Sequence, residues 1–186
     1  MKLYIKNMVC GRCLMYVKEI LKQEGVEYNS MELGEVDTKK ELTKVQAESI
    51  AGSLKKFDLE LLNDKNSILI EKIKNVIIEM IHYSEKEPIE NYSEFISKKL
   101  NKDYNSLSHL FSKIKGTTIE QYIIAQKIEK VKEYLLFDEL SLSEIAYKLN
   151  YSSVSHLSKQ FKKVTGLNPS FFKTSSVSKK KRIEEI

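Results

Sequence analysis

The chain has little of what breaks helices or crosslinks a fold. Its 186 residues include two prolines, six glycines, two cysteines and no tryptophan. Scarce proline and glycine, beside abundant Lys, Glu, Leu and Ile, favour helix. The N-terminus has no apolar run of signal-peptide length, and no stretch approaches a membrane span. We therefore expect a cytoplasmic protein without membrane contact, in which two nearby cysteines form a metal or redox pair rather than a structural disulfide.

The positive charge lies mainly in the second half of the chain. Residues 1–64 contain 10 Lys and Arg against 11 Asp and Glu, whereas residues 87–186 contain 17 against 12. Part of this excess lies in the tail, residues 176–186, which we expect to be disordered. A basic half attached to a nearly neutral half indicates a polyanionic partner.

Residues 1–64 mix strand and helix periods. Alternation at Leu3 and Ile5 predicts a strand, and a helical stripe follows from Gly11 to Lys22. A strand-like run from Val26 to Val36 with a turn at Gly34 comes next. A helix capped by Thr43 and a short strand near Leu59 complete the segment. This order predicts a small α+β domain at 1–64.

Residues 65–86 are predicted to form a linker helix. Ile70, Ile73, Ile77 and Ile81 recur every three or four residues, as on the apolar face of a helix. The run at 84–88 should end the helix, because Pro88 lacks an amide donor. The stripe is interpreted as core that docks the N-terminal domain, and the alternative is a homodimer through helix 65–83.

Residues 87–175 are predicted to be entirely helical and contain an internal repeat. The repeated apolar and polar positions recur 50 residues apart: Leu107, Ser108, Phe111, Lys113 and Gly116 match Leu157, Ser158, Phe161, Lys163 and Gly166. Upstream, Ile96, Leu100 and Asn101 recur 49 residues later as Ile145, Leu149 and Asn150. Two helix-turn-helix units joined by a long helix explain this pattern.

In each unit the apolar positions leave a polar, basic strip facing away from the core. The strip of the second unit comprises Ser152, Ser155, His156, Lys159, Gln160 and Lys163, and that of the first comprises Asn105, Ser106, Ser108, His109, Ser112 and Lys113. Such side chains can contact base edges and phosphates. Leu157, Phe161 and Val164 should be buried on the second helix of the second unit. The alternative is a helical interaction domain whose polar strips are only solvated.

The stretch IAYKLNYSSVSHLSKQFKKVTGLNPSFF at 145–172 closely resembles the second helix-turn-helix motif of AraC/XylS-type transcription regulators. The resemblance extends back through AQKIEKVKEYL to about residue 89. It implies binding to double-stranded DNA, RNA polymerase as a partner, and base-reading positions at Asn105, Ser108, His109, Ser155, His156 and Lys159. The chain departs from the family where Asn150-Tyr151 replaces Gly-Phe and where Lys127 replaces a frequent Arg.

Cys10 and Cys13 form a CxxC motif between a predicted strand and a predicted helix. Unpaired amides at a helix start and the charge of Arg12 favour thiolate there. The spacing of Met8, Cys10, Cys13 and the apolar positions up to Val26 resembles the heavy-metal-associated domain. That resemblance implies a ferredoxin-like fold for residues 1–64 and a soft metal ion held by the two cysteines.

Counting ligands narrows the choice of metal. Zinc prefers four ligands, yet residues 1–64 contain no histidine and only these two cysteines. Two soft thiolates suit Cu(I) better. The alternatives are a thiol–disulfide switch and an inert domain that only binds a partner.

No phosphate-binding glycine loop and no Ser, His and acid set indicates an enzyme. The first hypothesis is a transcription regulator whose CxxC domain modulates DNA binding. The second is a thiol oxidoreductase or metal carrier with a helical docking domain.

Overall fold

A computed structural model describes residues 1–83, 91–137 and 140–174. The chain divides into two compact units, one formed by Met1–Val76 with Ile96–Leu110 and the other by Ile77–Phe95 with Phe111–Ile186. The predicted domain boundaries at 64, 86 and 175 stay a prediction. The predicted break at 84–88 and the predicted tail at 176–186 lie outside the described residues.

Four short strands form one antiparallel sheet. The strands are β1 (Lys2–Lys6), β2 (Tyr28–Glu32), β3 (Glu35–Thr38) and β4 (Glu60–Leu62). Their order across the sheet is β2-β3-β1-β4, and every neighbouring pair is antiparallel. Leu3 lies opposite Val36, and Ile5 lies opposite Leu61. The predicted succession of strand, helix, two strands, helix and strand is therefore observed.

Two helices pack on the apolar face of this sheet, α1 (Gly11–Gln23) and α2 (Lys44–Lys55). Leu3 and Ile5 share a core with Val17, Leu21 and Leu54, all of which are almost fully buried. The predicted cap of α2 is confirmed. The Thr43 side chain accepts from the Gln46 amide, and the Gln46 side chain accepts from the Thr43 amide.

Helix α3 (Lys65–Ile78) continues into a π-helical turn at Glu79–Tyr83. All four isoleucines of the predicted stripe are buried within the chain, which favours the core interpretation of the stripe. The predicted helix over 65–83 is observed, and its last turn is π-helical, a feature that the apolar period does not predict. A π-helical turn holds an extra residue, and there His82 contacts Gln126 through Nε2 at 3.1 Å.

Polar contacts join α3 to the sheet within the first unit. Asn75 donates from Nδ2 to the Leu33 carbonyl at 3.0 Å. The ammonium of Lys72 lies 4.7 Å from the centre of the Tyr4 ring and pairs with Glu35 at 3.0 Å. Tyr4 points to the opposite face from Leu3 and Ile5, because side chains alternate along a strand. Helix α3 therefore covers the second face of the sheet.

Gly34 lets Asn75 reach the turn between β2 and β3. Its φ is +78°, and a Cβ added there would lie 2.0 Å from Asn75 Nδ2. We expect Gly34→Ala to lower the free energy of unfolding by about 2–3 kcal/mol, since it combines left-handed strain with loss of a buried hydrogen bond. Thermal or urea denaturation measures this change.

Gly25→Ala is the matched control for this prediction. Gly25 also has positive φ, at +65°, but an added Cβ meets nothing within 4 Å. It should cost only the backbone strain, about 1 kcal/mol. Equal losses for the two variants would show that Asn75 does not hold the turn.

The remaining described helices follow the predicted pattern closely. They are α4 (Tyr92–Leu100), α5 (Tyr104–Lys115), α6 (Ile119–Phe137), α7 (Leu142–Lys148) and α8 (Val154–Thr165), and residues 169–174 are also helical. The described residues between 91 and 174 contain no strand, which confirms the all-α prediction for this part of the chain. None of the helices within the described ranges is long and apolar enough to cross a membrane.

Candidate nucleic-acid interface and thiol pair

Helices α7 and α8 form a helix-turn-helix with a sharply defined turn. Helix α7 begins with a capping box between Ser141 and Glu144. After it, Asn150 adopts φ 51°, and the Tyr151 amide donates to the Ala146 carbonyl at 2.8 Å. Asparagine tolerates this left-handed conformation better than most residues, so Asn150 makes the turn where the related family has glycine.

Helix α8 is fixed at both ends. The Ser153 side chain accepts from the His156 amide at its start, and Gly166 ends it with φ 78°. Ala146 is 3% exposed and lies in the same core as Ile145, Leu157 and Phe161. A small residue there permits close approach of the two helices. The strip of α8 is thus presented on a rigid element.

The structure places the predicted polar residues of the second helix-turn-helix on one side of α8. Ser152, Ser155, His156, Lys159 and Lys163 are exposed, and Gln160 is half-buried. The His156 imidazole is held by Ser152, whose Oγ lies 3.1 Å from Nδ1. We call Ser152, Ser155, His156, Lys159, Gln160 and Lys163 the α8 strip.

The corresponding strip of the first helix-turn-helix is less exposed to solvent. On α5, Asn105, Ser106, His109 and Lys113 are exposed, whereas Ser108 and Ser112 are half-buried. The Ser106 hydroxyl donates to Asp103 Oδ1 at 3.1 Å, so this side chain helps to cap α5. These two half-buried serines offer less surface to a ligand than the exposed residues of the α8 strip.

The predicted burial of Val164 is wrong. Its side chain is 46% exposed, while Leu157 and Phe161 are fully buried. Helix α7 has only seven residues, about two turns, and the core around Leu157 and Phe161 does not extend to the last turn of α8.

Comparisons with known proteins agree with this architecture. A family model described as a helix-turn-helix domain matches residues 96–175. An uncharacterized HTH-type transcriptional regulator, YtdP of Bacillus subtilis, is 24% identical over 89% of this chain and 22% of its own length. The Msm operon regulatory protein of Streptococcus mutans is 27% identical over 67% of this chain and 44% of its own length.

Among solved structures, the C-terminal domain of AraT, a response regulator from Geobacillus stearothermophilus, superposes with a TM-score of 0.50. It is 23% identical and covers 60% of this chain and 88% of that domain. Residues 96–175 form a helix-turn-helix domain, and the C-terminal half shares the fold of that AraT domain. The chain spans less than half the length of the two curated relatives described above.

Outside the helix-turn-helix domain, the two cysteines meet at the start of α1. Their sulfur atoms lie 3.2 Å apart, and both residues are half-buried. Cys10 is the N-cap of α1, but its side chain makes no capping hydrogen bond. Within the described residues, no group of three or more His, Cys, Asp or Glu side chains could hold a metal ion. Cys10 and Cys13 together offer two sulfur donors.

Hydrogen bonds favour the thiolate of Cys10. The Cys13 amide lowers the pKa of Cys10 most, and the Cys13 side chain, the Arg12 amide and the Arg12 charge act in the same direction. Partial burial opposes them. This is the environment that a nucleophilic or metal-binding thiol needs.

A short chain of contacts connects the thiol pair to α3. Cys13 Sγ donates to the Asn7 carbonyl at 3.8 Å, and the Asn7 amide donates to Glu71 Oε2 at 3.3 Å. Glu71 is 4% exposed and pairs with Lys74 at 2.7 Å. Asn7 itself has φ 64°. Movement of the loop before Cys10 would therefore alter the hydrogen bond between the Asn7 amide and the buried carboxylate of Glu71 on α3.

Two buried charged residues, Glu71 and Lys127, are poorly predicted by the sequence. Glu71 lies between the stripe positions Ile70 and Ile73. A charged residue beside an apolar stripe is predicted to be exposed to solvent. Lys127 is 7% exposed on α6, although lysine is rarely buried. Only the replacement of the family's frequent Arg marks Lys127 in advance.

Proposed function

We propose that the chain is a sequence-specific DNA-binding transcription regulator. The observation that carries the proposal is the α7–α8 unit, whose turn is fixed and whose second helix exposes a polar strip with two lysines. Serine and histidine can hydrogen-bond to base edges, and lysines can bind phosphates or guanine. The basic excess of residues 87–186 adds long-range attraction to a polyanion. In this role the protein would meet RNA polymerase at its target promoters.

The salt dependence of duplex binding tests this proposal. The full chain should bind its operator with an affinity that falls steeply as salt rises, because counterions are released from each neutralised phosphate. Random duplex of the same length is the control and should bind more weakly. Absence of duplex binding at low salt would remove the proposal.

Lys159 is expected to contribute to base selection. It is exposed on α8, one turn after Ser155. We predict that Lys159→Ala weakens operator binding by about 1–3 kcal/mol and relaxes selectivity at one base position. Competition binding against operators substituted at each position measures both effects.

Lys132→Ala is the control for the loss of charge. Lys132 pairs with Glu129 on α6 and does not belong to the α8 strip. Its replacement should weaken operator and random duplex by the same small factor. Unchanged operator affinity and selectivity in Lys159→Ala would contradict the assignment of Lys159.

We further propose that residues 1–64 form a ferredoxin-like sensor domain. Its order of elements and its sheet order β2-β3-β1-β4 support that fold. Cys10 and Cys13 would hold a soft metal ion, for which two adjacent thiols are a suitable donor set. Cu(I) fits this set better than zinc, which would need ligands from elsewhere. The contacts through Asn7 and Glu71 supply a route for the signal to α3.

Thiol–disulfide exchange is the second candidate for the same pair. The sulfurs are in contact, and the lowered pKa of Cys10 favours attack on a small disulfide. Cys10 and Cys13 would lose two protons and two electrons, and the small disulfide would be reduced to two thiols. The same chemistry supports the alternative of a thiol oxidoreductase or metal carrier, which would bind no duplex DNA. A homodimer through helix 65–83 stays a prediction that sedimentation can test.

A further inference from the structure

Lys127 places an ammonium group beneath the turn of the second helix-turn-helix. The side chain projects from α6 and is 7% exposed. Its Nζ donates to the carbonyl of Leu149, the residue that ends α7. The ammonium also lies 5.1 Å from the centre of the Tyr151 ring and 4.9 Å from that of Tyr92. A buried charge is costly unless it is compensated, and here a carbonyl and two aromatic faces provide compensation.

The contacts continue from Lys127 to the α8 strip. The Tyr151 and His156 rings meet edge to face, with centroids 5.4 Å apart and planes at 85°. His156 is then fixed on its far side by Ser152. The Tyr151 hydroxyl is buried without a hydrogen-bond partner among the described residues, so packing and the ammonium hold this ring. Burial also raises the pKa of Tyr151 to about 12, which keeps the phenol neutral.

We propose that Lys127 is a positioning residue for DNA recognition, which sets the α7–α8 turn and, through the Tyr151 ring, the orientation of the His156 imidazole. The predicted effect of Lys127 on DNA recognition rests on the proposed function, whereas its effect on the His156 imidazole does not. Lys127 acts on the α8 strip through Tyr151. Its ammonium attracts the face of Tyr151 and anchors Leu149, so the ring that packs against His156 has one defined position. A well-ordered imidazole loses less conformational entropy when it binds a base edge.

Proton NMR of the free protein tests the positioning without DNA. The chain has three histidines, so the imidazole signals can be assigned by single substitutions. Lys127→Met preserves the length of the side chain but removes the charge and the donor. It should shift the His156 ring resonances and leave those of His109 in place. Lys127→Arg restores a cation and donors, and should return the His156 signals towards their wild-type positions. Unshifted His156 signals in Lys127→Met would overturn the inference.

DNA binding tests the consequence. Lys127→Met should weaken operator binding about tenfold, as expected for one lost base contact, while its affinity for random duplex changes less than about twofold. Lys127→Arg should recover most of the operator affinity. In a His156→Ala background, Lys127→Met should cost much less, because the imidazole that it positions is gone.

The possible failures are distinguishable. Equal losses on operator and random duplex, or full additivity with His156→Ala, would make Lys127 a stabilising residue only and overturn the inference. Thermal unfolding of each variant identifies losses that come from instability. A wild-type chain that binds no duplex would remove the proposed function, while the NMR result would still decide whether Lys127 positions His156.

Discussion

Replacing Phe161 with alanine is expected to unfold the second helix-turn-helix and abolish operator binding. Phe161 is fully buried between α8 and the rest of the core, and it meets Phe172 edge to face with centroids 5.5 Å apart. Loss of a buried phenylalanine costs about 3–5 kcal/mol, from lost apolar burial and from the cavity left behind. That is a large part of the stability of a typical domain. Circular dichroism during urea denaturation and operator binding measure the two effects.

Phe171→Ala provides a matched control ten residues further along the chain. The change of residue is the same, but Phe171 is 61% exposed. Its replacement should change the free energy of unfolding by less than about 0.5 kcal/mol. A Phe161→Ala variant as stable as Phe171→Ala would mean that α8 does not pack on α6 and α7 in solution.

The spacing of apolar residues predicts most helices of the C-terminal half, because the buried face of each helix must be apolar. The repeat that pairs Phe111 with Phe161 marks two side chains that are both fully buried. The Gly166 signal predicts the end of α8, since only a residue tolerant of positive φ closes a helix in this way. These features are local, or repeat at a fixed spacing, and so they are visible in one sequence.

The features that were missed depend on contacts between distant parts of the chain. Glu71 is buried because it accepts from Asn7, 64 residues away. Lys127 is buried because its ammonium reaches Leu149, 22 residues away. The π-helical turn at Glu79–Tyr83 contains His82, which contacts Gln126, 44 residues away. Single-sequence patterns carry no information on such partners, so a buried charge or a widened helical turn cannot be predicted from them.

The candidate site divides in the same way. The exposed residues of the α8 strip follow from the helical period once Leu157 and Phe161 are assigned to the core. The burial of Ser108 and Ser112 does not follow from the helical period, because it depends on side chains outside α5. The orientation of His156 depends on Tyr151, a residue that stands where the related family has phenylalanine.

A second large functional effect is expected from the thiol pair. A variant with both Cys10→Ser and Cys13→Ser should keep the fold and the DNA affinity of one state, yet lose any response to Cu(I) or to oxidation. Both cysteines are half-buried at the start of α1, and Cys13 packs against the core without being fully buried, so we expect the double serine variant to fold. A ligand shifts an equilibrium only when it binds one state more tightly than the other. A change in DNA affinity therefore requires that Cu(I) binding or oxidation at Cys10 and Cys13 alters the conformation around the two cysteines.

The measurement compares operator affinity of wild type and variant, reduced and oxidised, with and without Cu(I). Gly11→Ala is the control, since it alters the same helix start, keeps both thiols and has open space for the added methyl group. It should respond as wild type does. Alkylation of the reduced protein offers an independent check, because the lowered pKa of Cys10 should make it react at a pH where an ordinary thiol is still protonated.

Glu71 separates sensing from transmission. Glu71→Met removes the acceptor of the Asn7 amide and should leave metal binding by Cys10 and Cys13 intact while it weakens the effect on operator affinity. Glu71→Gln keeps an acceptor at the same distance and should retain more of the response. If wild-type operator affinity is the same with and without Cu(I), and the same in reduced and oxidised protein, the sensor proposal is wrong. Residues 1–64 would then bind a partner or a second chain through surfaces that do not involve the thiols.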